Sequence, residues 1–102
     1  MSNRELVKLD IDWHASKPMS KKEIDFMRLQ FWKDSSQFRG RKEIWDAIKH
    51  SLETADLEVA RATLESLNAS SVNGTLENIE DWQGWRYILP KFCVSYPDNT
   101  LI

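Results

Sequence analysis

The sequence has few cysteines, histidines, glycines and prolines. These low counts argue against a disulfide, a metal site and a disordered chain. Cys93 is the only cysteine among 102 residues, so neither an intramolecular disulfide nor a multi-cysteine metal site can form. The two histidines, His14 and His50, lie far apart and give no metal-binding spacing. Three glycines and three prolines are typical of a globular chain and not of a disordered one. We therefore expect a chain without metal or cofactor.

Long hydrophobic runs are also missing. No stretch approaches the ~18 apolar residues of a membrane helix, and the first ten residues, MSNRELVKLD, lack the apolar centre of a signal peptide. A single cysteine is consistent with a reducing compartment. We therefore expect no membrane association and a cytoplasmic location, with the nucleus as the alternative.

The net charge of −2 conceals an asymmetry along the chain. Residues 1–49 carry eleven Lys and Arg against eight Asp and Glu, whereas residues 50–102 carry three against eight. A nucleic-acid-binding domain usually has clustered basic residues over one face, and this chain does not. The acidic second half favours a protein partner with a basic surface. The alternative is a nucleic-acid-binding domain that uses an exposed tryptophan and three cations, Arg39, Arg41 and Lys42.

A capping-box pattern, Ser20-Lys-Lys-Glu23, predicts a first helix over residues 21–33. The apolar residues of this segment cover more than a third of the helix circumference: Ile24, Phe26, Met27, Leu29, Phe31 and Trp32. A stripe that wide usually lies between two other elements. The alternative is a partly exposed face that binds a partner.

The stretch QFRGRKEIWDAIK, residues 37–49, joins three cations to an amphipathic pattern. Apolar residues at helical spacing predict a second helix that begins near Gly40 or Arg41: Ile44, Trp45, Ile48 and Leu52. Positive charge in the first turn of a helix is unfavourable against the helix dipole. We therefore predict that Arg41 and Lys42 pair with carboxylates within the domain, which the acidic half could supply. A third helix follows, with Asp56 as its N-cap.

Strand patterns are confined to the C-terminal third. Residues 76–81 and 85–89 are predicted to form a β-hairpin around the Gln83-Gly84 turn, and Pro90 ends its second strand. The fold class is therefore α+β and mainly helical, with about three short helices packed with one β-hairpin and an N-terminal extended arm.

The domain organisation is expected to be simple, because the chain shows no repeat, linker or low-complexity segment. Residues 1–17 are polar with scattered apolar anchors and are expected to form an arm packed on the domain. Residues 18–102 are expected to form a single domain with a modest core.

Catalytic signatures are missing. The sequence has no phosphate-binding Gly-rich loop, no Gly-x-Ser-x-Gly turn and no His-x-x-x-His pair. A cysteine nucleophile would need Cys93 beside His14 or His50, together with an orienting carboxylate. The surrounding KFCV is apolar, which is typical of a buried structural thiol. We predict that the protein is not an enzyme.

The run FRGRKEIWDAIK resembles the signature of the N-terminal, ubiquitin-binding domain of ubiquitin domain-containing (UBTD) proteins. The resemblance extends over most of the chain and includes Trp13, Pro18-Met19-Ser20, Phe31-Trp32, Asn73-Gly74-Thr75-Leu76, Tyr87, Leu89-Pro90 and Phe92-Cys93. It implies a non-catalytic adaptor whose partners are ubiquitin, a ubiquitin-conjugating enzyme and a deubiquitinating enzyme. We expect the chain to be a monomer. Such proteins normally carry a ubiquitin-like domain downstream, and we expect none within these 102 residues.

The candidate protein-binding residues form an acidic and apolar set, because such partners commonly present basic residues beside a small apolar patch. They lie around the third helix and on the hairpin: Glu53, Asp56, Glu58, Glu65, Glu77, Glu80, Asp81 and Trp82. The three hairpin carboxylates match no cation-binding loop and are interpreted as solvated. Trp82 lies at the predicted turn, where it either folds back onto the helices or contacts a partner. Binding of roughly micromolar affinity or weaker is expected.

Overall fold

The architecture is α+β and mainly helical, as the sequence predicts. It is taken from a computed structural model that describes residues 5–101, apart from the side chain of one residue in the 3₁₀ turn. The first four residues of the predicted arm and the last residue of the predicted domain lie outside this range. The helices are α1 (Lys21–Lys33), a 3₁₀ turn (Ser35–Gln37), α2 (Lys42–Thr54), α3 (Leu57–Ser66) and α4 (Lys91–Val94). The strands are β1 (Ala69–Ser71), β2 (Asn78–Asp81) and β3 (Arg86–Ile88).

Helix α1 has the predicted boundaries because its cap is local in sequence. The Ser20 hydroxyl accepts from the amide of Glu23, and the Glu23 side chain returns to the Ser20 amide. Ile24 is the only buried residue of α1, whereas Phe26 and Leu29 are 60% and 64% exposed. Of the two alternatives, the partly exposed face therefore describes Phe26 and Leu29, whereas Phe31 and Trp32 contact Trp45 of α2. Helix α1 packs beside α4 and leaves part of its apolar stripe uncovered.

Helices α2 and α3 pack against each other through their apolar faces. Arg41 is the N-cap residue of α2, with an extended backbone, and the helix begins at Lys42. The Arg41 side chain makes no capping hydrogen bond. The helix ends at Thr54, and its C-cap residue Ala55 adopts the left-handed conformation with φ of 52°. Asp56 then caps α3 by accepting from the amide of Val59, as predicted.

The strands form one antiparallel sheet in the order β1-β2-β3. The predicted hairpin is β2 and β3, both shorter than expected, with Ile79 opposite Tyr87. Three elements were not predicted, the 3₁₀ turn, β1 and the four-residue α4. The sequence of β1 is Ala-Ser-Ser, which has little intrinsic strand preference. Its conformation comes from pairing with β2, where Ser70 lies opposite Glu80.

An aromatic cluster joins the helices to the sheet. The ring centroids of Phe38 and Trp45 are 4.8 Å apart, and those of Trp45 and Tyr87 are 5.1 Å apart. Phe31 and Trp32 of α1 each lie 6.2 Å from Trp45. Edge-on aromatic pairs add about 0.5–1.5 kcal/mol to the burial term. The cluster therefore fixes α1, the 3₁₀ turn and β3 around α2.

The arm contributes to the core. Leu6 is 3% exposed and belongs to the main hydrophobic cluster. The amides of Val7 and Lys8 donate to the carbonyl of Gly74 in the β1–β2 connection, at 2.8 and 3.1 Å. The division of the chain after residue 17 stays a prediction. No helix in the described range combines the length and the apolar character needed to cross a membrane.

Candidate protein-binding surface

The hairpin tip is built around one buried carboxylate. Asp81 is 4% exposed, and its Oδ1 accepts from the amides of Gln83 and Trp85 at 2.9 and 3.0 Å. Its Oδ2 accepts from the Tyr87 hydroxyl at 2.7 Å, and that hydroxyl accepts from the amide of Arg41 at 2.8 Å. Asp81 therefore holds the turn closed and connects it to the start of α2.

The pKa values of this network agree with its geometry. Burial acts to raise the pKa of Asp81, but the hydrogen bonds from Tyr87 and from the two amides outweigh it and hold the pKa below its usual value. Burial, together with the neighbouring Asp81 carboxylate, raises the pKa of Tyr87 to about 12. At neutral pH Asp81 is thus charged and Tyr87 is a neutral donor. Asp81 was predicted as a surface contact, and the structure places it inside the domain instead.

Trp82 is presented to solvent by this turn. Its side chain is 65% exposed, so the expectation that it folds back onto the helices is wrong. Two further apolar side chains of the hairpin are exposed, Trp85 at 44% and Ile88 at 63%. The turn closes through Gly84, whose φ of +90° is readily reached only by glycine. The structure therefore leaves Trp82 available for contact.

The other hairpin carboxylates are paired within the domain. Glu80 Oε2 lies 2.7 Å from Arg86 Nε across the β2–β3 ladder, and Glu77 Oε2 lies 3.2 Å from Lys91 Nζ. Both glutamate side chains are only 20% exposed. Their charges are largely offset, so the hairpin offers less negative surface than the sequence indicates.

Among the candidate acidic residues around α2 and α3, some make a side-chain hydrogen bond or ion pair within the described residues, and others, here called uncommitted, make none. Asp56 caps α3, and Glu58 Oε1 pairs with Arg61 Nη1 at 2.9 Å. Glu53 and Glu65 are exposed and make no side-chain hydrogen bond or ion pair within residues 5–101. These two carboxylates are therefore the ones most available to a partner.

A surface cavity connects the α3 candidates with the sheet. Its volume is about 410 Å³, and Glu65 lines it together with Leu64, Arg61 and Ser70. Ser70 lies directly opposite Glu80 in the β1–β2 ladder. The structure thus places Glu65 beside strand β1, whereas no side-chain hydrogen bond or ion pair joins Glu53 to the hairpin within the described residues.

The cations of the QFRGRKEIWDAIK stretch are paired, as predicted, but with local partners. Arg41 Nη2 lies 2.5 Å from Glu43 Oε1, and Lys42 Nζ lies 2.8 Å from Asp46 Oδ2. Both acceptors lie on α2 itself and not in the acidic half. Two of the three cations behind the nucleic-acid alternative are thereby offset, which weakens that alternative.

The glycine of the same stretch has a role that was not predicted. Gly40 has a φ of +95°, and a Cβ there would come within 2.6 Å of the Tyr87 ring. The Trp45 indole nitrogen donates to the carbonyl of Arg39 at 2.9 Å. The backbone of residues 39–41 therefore packs against the Tyr87 ring and is held by hydrogen bonds to the Tyr87 hydroxyl and the Trp45 indole. A lone glycine between two arginines was the only sequence signal for this contact.

The side chains considered for catalysis are not brought together. Burial raises the pKa of the Cys93 thiol to about 12, which opposes thiolate formation. His14 lies 2.8 Å from Asp98, and His50 is exposed on α2. Within the described part of the chain, no group of three or more His, Cys, Asp or Glu side chains is placed to hold a metal ion.

The described residues thus present exposed carboxylates and an exposed tryptophan on a small α+β scaffold. A sequence profile of the ubiquitin-binding domain family matches residues 2–102, so the chain belongs to that family. The predicted resemblance is confirmed.

Curated relatives of this chain are ubiquitin domain-containing proteins. The chain is 38% identical to Ubiquitin domain-containing protein 1 of Homo sapiens over 103 residues, which is 98% of this chain and 45% of the relative. It is 36% identical to Ubiquitin domain-containing protein 2 of Danio rerio over 92 residues, which is 87% of this chain and 38% of that relative. The chain thus spans less than half the length of these relatives.

Proposed function

We propose that this chain is a non-catalytic adaptor domain that binds ubiquitin through an acidic surface on α2 and α3. The observation that carries the proposal is the family match over residues 2–102. The geometry supports it, because Glu53 and Glu65 are exposed and uncommitted within the described residues. Such carboxylates steer and orient a partner that presents lysine and arginine.

Trp82 supplies the apolar part of the proposed contact. An exposed tryptophan on a turn held by a buried carboxylate is a preorganised anchor, and tryptophan is enriched among residues that dominate binding energy. As an uncharged side chain, Trp82 contributes contact area and not attraction at a distance.

A ubiquitin-conjugating enzyme is the second partner we propose, and a deubiquitinating enzyme is the third. The same acidic surface suits either, wherever such an enzyme presents basic residues beside an apolar patch. A cytoplasmic location belongs to the same proposal. We expect dissociation constants of roughly 1 μM or weaker, since a single small domain supplies a limited surface.

Titration of the ¹⁵N-labelled chain with ubiquitin, and separately with a conjugating enzyme, tests the proposal. Saturable amide shifts are expected at Glu53, Glu65 and Trp82, and the affinity should fall as salt is raised. Unchanged spectra with both partners would overturn it.

Charge reversal locates the surface. The double variant Glu53→Lys/Glu65→Lys is expected to weaken ubiquitin binding about tenfold or more, because two attractive contacts become repulsive. The matched control is Asp10→Lys/Asp12→Lys, which changes net charge equally on two exposed arm residues. Equal weakening by both doubles would show an effect of net charge and would remove α2 and α3 from the site.

A further inference from the structure

A second surface lies on the opposite side of the sheet from the α3 cavity, at the free edge of β3. A groove of about 280 Å³ runs between this edge and the aromatic cluster. Its lining is Phe31, Phe38, Arg39, Trp45, Arg86 and Ile88. Four of the six side chains are apolar, and both charged ones are cations. The surface is therefore apolar, and because Glu80 offsets Arg86, its positive charge comes mainly from Arg39. It contrasts with the acidic surface on α2 and α3.

The edge of β3 presents unused backbone groups. Strand β3 is the last strand in the order β1-β2-β3. The amide of Asp81 donates to the carbonyl of Trp85, and the amide of Leu89 donates to that of Glu77, so the odd-numbered residues of β3 face β2. By the alternation of an antiparallel ladder, the N–H and C=O groups of Arg86 and Ile88 point away from β2. Within residues 5–101 no backbone group pairs with them on that side.

Both charged side chains that line the groove are arginines. The Arg39 side chain is exposed and makes no ion pair or side-chain hydrogen bond within the described residues. Arg86 pairs with Glu80 but keeps 49% of its side chain exposed. Arginine beside an apolar groove matches a carboxylate held at a fixed position, because its planar fork binds both oxygens.

We infer that the β3 edge and its groove bind an extended acidic peptide segment of a partner protein, which adds a strand to the sheet and places apolar side chains in the groove. Strand addition supplies affinity through main-chain bonds and specificity through the pocket and its charges. A second copy of this chain does not suit the edge, because two β3 edges would bring Arg39 and Arg86 of both copies together. The segment has room for a short strand only, since Pro90 lacks the amide needed to continue it.

The first test uses a capped eight-residue peptide of alternating glutamate and valine, titrated into the ¹⁵N-labelled chain. Saturable shifts are expected at the amides of Arg86 and Ile88 and at the Trp45 indole, with a Kd of roughly 0.1–1 mM. Backbone-to-backbone NOEs between peptide and β3 are expected for a paired strand. Binding without such NOEs, or shifts confined to α3, would overturn the inference.

Two further ligands test whether binding requires acidic side chains and whether it requires a peptide. The same peptide with lysine in place of glutamate is expected to leave the β3 amides unshifted. An eight-residue oligodeoxythymidine is expected to do the same. If the lysine peptide binds equally well, Arg39 and Arg86 do not select an acidic peptide and the proposal fails. If the oligonucleotide binds this edge with a steep salt dependence, the site belongs to nucleic acid and the peptide proposal fails.

Variants at Arg39 test the charge beside the groove without disturbing the core. The Trp45 indole donates to the Arg39 backbone carbonyl, which a change of side chain leaves in place. Arg39→Glu is expected to weaken the glutamate peptide about tenfold, the loss of one charge-assisted hydrogen bond. Arg39→Lys should weaken it less. The control is Lys17→Glu, which reverses an exposed cation on the arm. Equal affinities for Arg39→Glu and Lys17→Glu would contradict the proposal.

The inference does not depend on ubiquitin binding, and one comparison keeps the two apart. Arg39→Glu should leave ubiquitin affinity within about twofold of the parent chain, whereas Glu53→Lys/Glu65→Lys should leave peptide affinity unchanged or slightly higher. If ubiquitin itself shifts Arg86 and Ile88 and competes with the peptide, the groove is part of the ubiquitin site and no separate peptide surface exists.

Discussion

Helices α1 and α2 are both 13 residues long, yet they bury very different shares of their residues. Five residues of α2 are buried, whereas Ile24 is the only one in α1. Both have clear apolar positions in the sequence. Helix α2 lies at the centre, against α3 and beneath the aromatic cluster, and α1 lies at the periphery beside α4. An apolar stripe thus shows which side of a helix could be buried, but not whether another element covers it.

The largest expected effect comes from the core face of α2. Ile48 is 0% exposed, and Ile48→Ala removes buried methyl groups and leaves a cavity. The free energy of unfolding should fall by about 3 kcal/mol. Chemical denaturation followed by tryptophan fluorescence measures it.

The matched change on α1 is Leu29→Ala, at a position that is 64% exposed. The expected loss is about 0.5 kcal/mol or less, because little apolar surface changes its environment. A loss as large as that of Ile48→Ala would contradict the comparison and would show that the exposed face of α1 is covered in solution.

A loss between those of Ile48→Ala and Leu29→Ala is expected where Asp81 connects the hairpin to the start of α2. Asp81→Ala leaves the Tyr87 hydroxyl and two turn amides without their buried acceptor. We expect the free energy of unfolding to fall by about 2 kcal/mol. Amide exchange should also quicken at Arg41, since its amide donates to the same hydroxyl. If exchange at Arg41 is unchanged, the Asp81–Tyr87 network does not stabilise the beginning of α2.

The same carboxylate makes stability depend on pH. The folded pKa of Asp81 lies below the value of about 3.9 found in unfolded chains. Its contribution is therefore complete above that value and is lost as the pH falls through the lower, folded pKa. The effect should be smaller than that of Asp81→Ala, because a protonated carboxyl still accepts hydrogen bonds. The Asp81→Asn variant should show a flatter decline between pH 4 and pH 2, measured by denaturation at each pH.

An effect between those of Asp81→Ala and Leu29→Ala is expected at the cap of α1. Ser20→Ala removes the acceptor for the Glu23 amide and should cost about 1 kcal/mol. Amide exchange should quicken in the first turn of α1 and remain unchanged in α2. Ser16→Ala, at an exposed arm position, is the control and should change neither. Faster exchange in both helices would mean that α1 and α2 open together.

Local features were predicted well because their partners are close in sequence. The capping box of Ser20 and Glu23 and the N-cap at Asp56 each depend on residues three apart. The aromatic periodicity of β3 likewise identified the hairpin. In contrast, β1 has no sequence signal of its own and exists because β2 pairs with it.

The candidate surface shows the same division. The sequence identified the acidic half and the tryptophan at the turn, and Trp82 is exposed. It did not distinguish Asp81, which is buried, from Glu65, which is exposed and uncommitted within the described residues. Arg86 and Lys91 offset Glu80 and Glu77 from 6 and 14 residues away, and no local pattern indicates those pairs.

By itself the sequence determined the fold class, the main helices, the hairpin and the family, because these follow from caps, periodicity and a shared signature. Only the tertiary structure decided which charges are free, which apolar face of α1 stays exposed, and that β3 forms an open edge beside Arg39. The physical reason is that burial and charge pairing depend on neighbours distant in the chain. A residue's own type sets what it can do, and its surroundings decide whether it is available to a partner.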